Sequence, residues 1–409
     1  MTLDIIYDNG KWTATHAEKR CGGPSSISLG ENELLRDLHL SIDGRGEEKL
    51  VPDGLPHVYH KGGLAIFESS GAFATGGRQR VHTTCRYGAN YARLVWDLTW
   101  TRGAAVTSPV ELGSALLPGQ WTRLLAVTRD NVAHPDQWQW QDLSADATLE
   151  WVPLPLALVL ERQDGTRLEY SLGFDLWRWD GGLGMETVPP SLRLTVTGEG
   201  VRLARFLADK PADFQPPKPT REGEVPPLGP VPECREYRFC AVLAWLAPQM
   251  LADAPLLPVV NVPFSANKPG LELPAGLDSA ATAIGVDFSA MPCVESYLRK
   301  QAGGIPGTLP CWEHDRVLNN AKKAIRQLAA LGSTGTLIAT GLTPDLCLDG
   351  HHCDKKSDRL HWDLEDLLAF VSWAKTQLGP GWQVRCPQPQ GWDQLPSLAG
   401  FALPNGFDY

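Results

Sequence analysis

The chain has 409 residues, 43% of them hydrophobic and 21% charged, and a formal net charge of −10. That length exceeds what one hydrophobic core serves, so two domains are expected, and the composition excludes wholesale disorder. The acidic balance, without a basic block anywhere, argues against nucleic acid and against anionic membrane surfaces as partners.

The N-terminus, MTLDIIYDNGKWTATH, has no basic stretch followed by an apolar one, and no segment has the length of a membrane span. A cytoplasmic protein is the expectation for the sequence as written, with export left open for a chain whose signal peptide has been removed. The nine cysteines, an odd number spread from Cys21 to Cys386, read as reduced thiols rather than a disulfide framework.

Residues 1–209 read as an antiparallel β-sandwich. In YARLVWDLTW, Ala92, Leu94, Trp96, Leu98 and Trp100 alternate with Arg93, Asp97 and Thr99, the pattern of a half-buried strand. Asp164-Gly165 supplies the tight reversal of a hairpin, after which Leu168, Tyr170, Leu172 and Phe174 alternate inward. The same device recurs around Gly198 and Gly200. Residues 210–234, KPADFQPPKPTREGEVPPLGPVPEC, form a proline-rich connector, because proline lacks the amide donor and fixes φ.

Residues 235–409 read as an α/β domain, an open parallel sheet or an incomplete barrel. Strands are expected at 237–245, 258–264, 281–289, 335–341 and 381–386. Two helices are expected among them. One buries Val317, Ala321, Ile325 and Leu328 and stops at Gly332. The other starts at a cap on Asp363, buries Leu364, Leu367, Leu368, Val371 and Leu378, and stops at Gly379-Pro380. The whole is therefore an α+β two-domain fold.

Ligand sites in α/β domains gather at the carboxyl ends of the parallel strands. The segment GLTPDLCLDGHHCDKKSDRLHWD follows the strand at 335–341 and makes a βα loop of some twenty residues. Such loops usually have about 2–6, and long ones are usually functional or disordered. Cys347, His351, His352 and Cys353 offer ligands suited to a divalent metal such as zinc, with Cys311, Glu313 and His314 as sources of a further ligand. Three readings stay open: a metal or catalytic site, a local Cys347–Cys353 disulfide, or a polar surface loop. Asp287, at the end of the strand 281–289, is the carboxylate placed to hold the metal or act as acid or base with His351 or His352, and equally a candidate helix cap.

Eight of the fifteen tryptophans fall between Trp96 and Trp179. Trp177 and Trp179 share a strand face in line with Asp175, as a flat aromatic platform beside a carboxylate on which a sugar ring can stack. Trp138 and Trp140 form a similar pair. The alternative is that these indoles fill the sandwich core or its contact with the second domain. The expectation is a carbohydrate-active hydrolase, metal-assisted or not, with its site at the strand ends or in the interdomain cleft. The competing expectation is a non-catalytic carbohydrate-binding or assembly protein.

Overall fold

The computed structural model describes residues 4–8, 12–17, 21–40, 50–61, 64–73, 79–88, 91–101, 111–132, 134–172, 176–179, 182–184, 191–206, 234–248, 257–293, 298–300, 306–312, 314–344, 346–348, 360–362, 364–387 and 391–399. It shows the expected two-domain α+β architecture, an N-terminal pair of antiparallel sheets and a C-terminal parallel sheet with helices.

Among the described residues, the first sheet has eight strands and the second twelve. Ala92, Leu94, Trp96 and Leu98 are buried between them, as the alternation requires. So are Leu168, Tyr170 and Leu172. The Asp164-Gly165 hairpin closes as read. Gly165 N–H donates to the Arg162 carbonyl at 3.0 Å, and the Asp164 carboxylate accepts from Thr166 N–H at 2.9 Å. The Gly198–Gly200 hairpin likewise sets Thr197 opposite Gly200. Phe174 lies outside the described residues.

The central strands of the second sheet are buried on both faces. Leu124, Leu158, Leu160, Ala241 and Leu243 point into the sandwich. Their neighbours Leu125, Ala157, Val159, Val242 and Ala244 point the other way, into a core shared with the α/β residues. This explains the one displaced strand. The segment expected at 237–245 as the first strand of the α/β unit is part of Cys234–Leu246. It pairs antiparallel with Tyr91–Thr101 and Arg167–Ser171, in the middle of the second sheet. A continuous apolar run shows that both faces are buried, and a central antiparallel strand meets that condition as well as a parallel one does.

The α/β unit is built on four parallel strands in sequential order: Val259–Asn261, Ala283–Asp287, Gly335–Thr340 and Trp382–Arg385. Right-handed crossovers between sequential neighbours put their helices on one side of the sheet. Ile284, Val286, Leu337 and Ala339 accordingly share a core with both helices. The first helix, Asp315–Ala329, buries Val317, Ala321, Ala324, Ile325 and Leu328, and the second, Leu364–Leu378, buries Leu364, Leu367, Leu368, Val371 and Leu378. Asp363, read as the cap of the second helix, lies outside the described residues. The first helix is capped by His314, whose Nδ1 accepts from Arg316 N–H at 3.2 Å. Among the described residues no helix is long and apolar enough to cross a membrane.

Candidate functional site

The opposite face of the parallel sheet carries Asn261, Gly285, Asp287, Ile338 and Thr340. Strand register puts them in two rows. Asn261 is level with Gly285 and Gly285 with Ile338, while one pleat further on Asp287 is level with Thr340. Residues two apart on a strand point to the same side, and register partners sit about 4.8 Å apart. These side chains therefore converge at the carboxyl ends of three strands. Together with Phe264, Pro263 and Ala290 they line a pocket of about 330 Å³. Its lining is apolar on Val262, Pro263, Phe264 and Ile338, and polar on Asn261, Asp287 and Thr340.

Asp287 is exposed and ends its strand. Its Oδ1 accepts from Ser289 N–H at 3.0 Å and from the Ser289 hydroxyl at 2.6 Å, which caps the turn Phe288–Ala290. Both bonds fall on Oδ1, and Oδ2 takes neither. Asp287 is therefore a turn cap, as one of its two sequence readings has it, and it also lines the pocket. The neighbouring strand leaves through Gly341 at φ +74°, where a Cβ would run into Ser289 N and Asp287 Oδ1.

Behind the pocket, Phe288 is fully buried, with its ring centroid 5.6 Å from Phe264, 5.8 Å from Phe370 and 6.3 Å from Trp312. The turn that carries Asp287 is therefore anchored in the shared core through the next residue.

None of the remaining sequence candidates that are described lines this pocket. Cys347 stands in a short strand, Leu346–Leu348, paired antiparallel with Leu360–Trp362, so the long βα segment is closed at its base by a two-stranded ladder with Cys347 opposite His361. His351, His352 and Cys353 lie outside the described residues, as does Glu313. Cys311 is buried, and His314 serves as the helix cap described above. Among the described residues no three metal-ligating side chains come together.

Trp177 and Trp179 lie on the strand Leu176–Trp179, in register with Tyr237 and Arg235 respectively. Asp175 lies outside the described residues. The other tryptophan pair makes an interlayer contact. Trp138 meets Trp392 edge-on at 5.2 Å, and Trp140 Nε1–H donates to Gln394 Oε1 at 2.7 Å. Asn261, Gly285 and Thr340 were not singled out from the sequence. The signal for them was the polar or glycine position at the matching level of each parallel strand, which becomes legible once register is fixed.

No family model matches the chain, and no curated protein matches it. Several solved structures align with it at low similarity. The Slr1438 protein from Synechocystis sp. PCC 6803 is 9% identical over 60% of this chain and 96% of its own, with a TM-score of 0.36. A putative aldose 1-epimerase from Escherichia coli K12 is 11% identical over 60% of this chain and all of its own, with a TM-score of 0.33. The α-N-acetylgalactosaminidase NagBb from Bifidobacterium bifidum, in complex with Gal-NHAc-DNJ, is 10% identical over 96% of this chain and 77% of its own, with a TM-score of 0.34. Likenesses of this size carry no argument about what this chain does.

Proposed function

We propose that the chain is a carbohydrate-active hydrolase whose ligand sits in the pocket at the carboxyl ends of Val259–Asn261, Ala283–Asp287 and Gly335–Thr340. The observation that carries this reading is the convergence there of a carboxylate, a carboxamide and a hydroxyl on a partly apolar floor. Binding pockets for small molecules run from about 300 to 1,000 Å³, so this one suits a ligand near one sugar ring in size. A pyranose offers an apolar C–H face to Phe264 and Pro263 and hydroxyls to the three polar side chains. In the hydrolytic step Asp287 takes a proton from water as the water oxygen bonds to the anomeric carbon, the glycosidic bond breaks, and the departing aglycone oxygen is protonated from solvent. Of the candidates Asp287, His351, His352 and Cys347, Asp287 is the one that lines this pocket among the described residues.

One observation favours a second reading. Among the described lining residues Asp287 is the single carboxylate, whereas the two-carboxylate route to glycoside cleavage needs a pair about 5–10 Å apart. A protein that binds a sugar here without cleaving it fits the same pocket. Asp287→Asn separates the two. Under the hydrolytic reading, turnover on a panel of aryl glycosides falls by about 10²–10⁴-fold. Under the binding reading, the wild type shows no turnover on the panel and the substitution weakens binding. A variant that hydrolyses like the wild type would remove Asp287 from the chemistry.

A further inference from the structure

Asn261 is a polar side chain for which the fold makes room. It is exposed at the last position of its strand, level with Gly285. A Cβ at 285 would collide with Asn261 Oδ1, so the carboxamide occupies the space that a side chain on the neighbouring strand would fill. Among the described residues that carboxamide makes no side-chain hydrogen bond. Because Asn261 is exposed, its donor and acceptor are open to water and to an occupant of the pocket.

Asp287 stands one pleat beyond Gly285 on the same side of the sheet, with Oδ1 held by Ser289 and Oδ2 outside those bonds. We propose that Asn261 and Asp287 form a two-pronged clamp for neighbouring hydroxyls of an uncharged pyranose. Gly285 is the positioning residue that sets the angle of the Asn261 prong. The inference rests on the sugar-pocket reading and adds to it the class of ligand and the group recognised. A carboxylate accepts from one hydroxyl, and a carboxamide accepts from or donates to the next. Phe264 and Ile338, also in the pocket lining, are apolar and take the face of the ring.

The test is a double-mutant cycle read by calorimetric titration with methyl α-D-galactopyranoside, methyl α-D-glucopyranoside and methyl α-D-mannopyranoside, which orient their hydroxyl pairs differently. Gly285→Ala meets the end of a side chain rather than backbone, so its melting temperature is expected to stay within a few degrees of wild type. Its affinity for the glycoside that binds best is expected to fall about tenfold, the loss of one good hydrogen bond. Asn261→Ala is expected to do the same. The double variant is expected to be no weaker than Asn261→Ala alone, because residue 285 acts through Asn261. An equal further loss from Gly285→Ala in the Asn261→Ala background would overturn the clamp, since residue 285 would then act by filling the pocket. Affinity unaffected by Asn261→Ala but abolished by Asp287→Asn would overturn the clamp and keep the pocket. Absence of binding by the wild type to all three glycosides would overturn the functional reading and the clamp with it.

Discussion

Phe288→Ala is expected to destabilise the protein by about 3–5 kcal/mol, the usual cost of removing a large aromatic from a packed core. The side chain is fully buried and faces three other rings, those of Phe264, Trp312 and Phe370. Trp312 and Phe370 stack on each other at 5.2 Å, and that pair cannot follow a shrinking neighbour without losing its own contact. The substitution therefore leaves a cavity rather than a collapsed site. Phe264 belongs to the pocket lining as well as to this cluster, so the same change loosens the wall against which a ligand rests. Urea unfolding monitored by tryptophan fluorescence gives the number, and Phe288→Leu should recover more than half of the loss. A cost below about 1 kcal/mol would mean that the cluster does not anchor the Asp287 turn.

Glu169 gives the second large effect. It is fully buried on the strand Arg167–Ser171, on the side shared with Val159 and Ala244 that faces the α/β unit. Its Oε2 accepts from Ser397 N–H at 2.7 Å, and its Oε1 accepts from the Ser171 hydroxyl. Through the first bond it ties the short helix Pro396–Ala399 to the sandwich. Trp138–Trp392 and Trp140–Gln394 reinforce the same seam. Glu169→Ala leaves a buried backbone donor without its acceptor, which costs about 1–3 kcal/mol.

Burial pushes the Glu169 carboxyl above its ordinary value of 4.5, against the opposing pull of its hydrogen bonds to Ser171 and Ser397. The folded state then holds a proton that the unfolded state has released. Stability from this group is complete below about 4.5 and is lost as pH rises through the folded value. Unfolding titrations at a series of pH values from 4 upward should show the wild type losing stability relative to Glu169→Gln, which carries no ionisable group there. A wild type that gains stability on the variant over that range would reverse the sign and contradict the burial argument.

Much of the architecture was legible because period and turn chemistry act locally. The inward alternation of Ala92, Leu94, Trp96 and Leu98, the Asp164-Gly165 reversal and the helix stripe through Val317, Ala321 and Ile325 all follow from side-chain direction over a few residues. The Cys234–Leu246 strand was misplaced because burial on both faces erases alternation, and nothing local then says which sheet claims it. Asp287 was legible as a strand-end carboxylate. Its pocket partners Asn261 and Thr340 depend on the register of three strands far apart in sequence. His314 offered an imidazole suited to zinc, and an imidazole nitrogen caps a helix equally well when it precedes the first turn. The tryptophans at 138 and 140 look the same in sequence as a sugar platform does. Their contacts with Trp392 and Gln394 come from a segment some 250 residues away.

The most direct test of a sugar pocket at the parallel strand ends is a crystal structure of the full chain soaked with methyl α-D-galactopyranoside, methyl α-D-glucopyranoside or methyl α-D-mannopyranoside. The expected result is one pyranose between Asn261, Asp287 and Thr340, with its apolar face toward Phe264. A sugar bound instead against Trp177 and Trp179, or none bound at the strand ends with any of the three, would contradict that assignment.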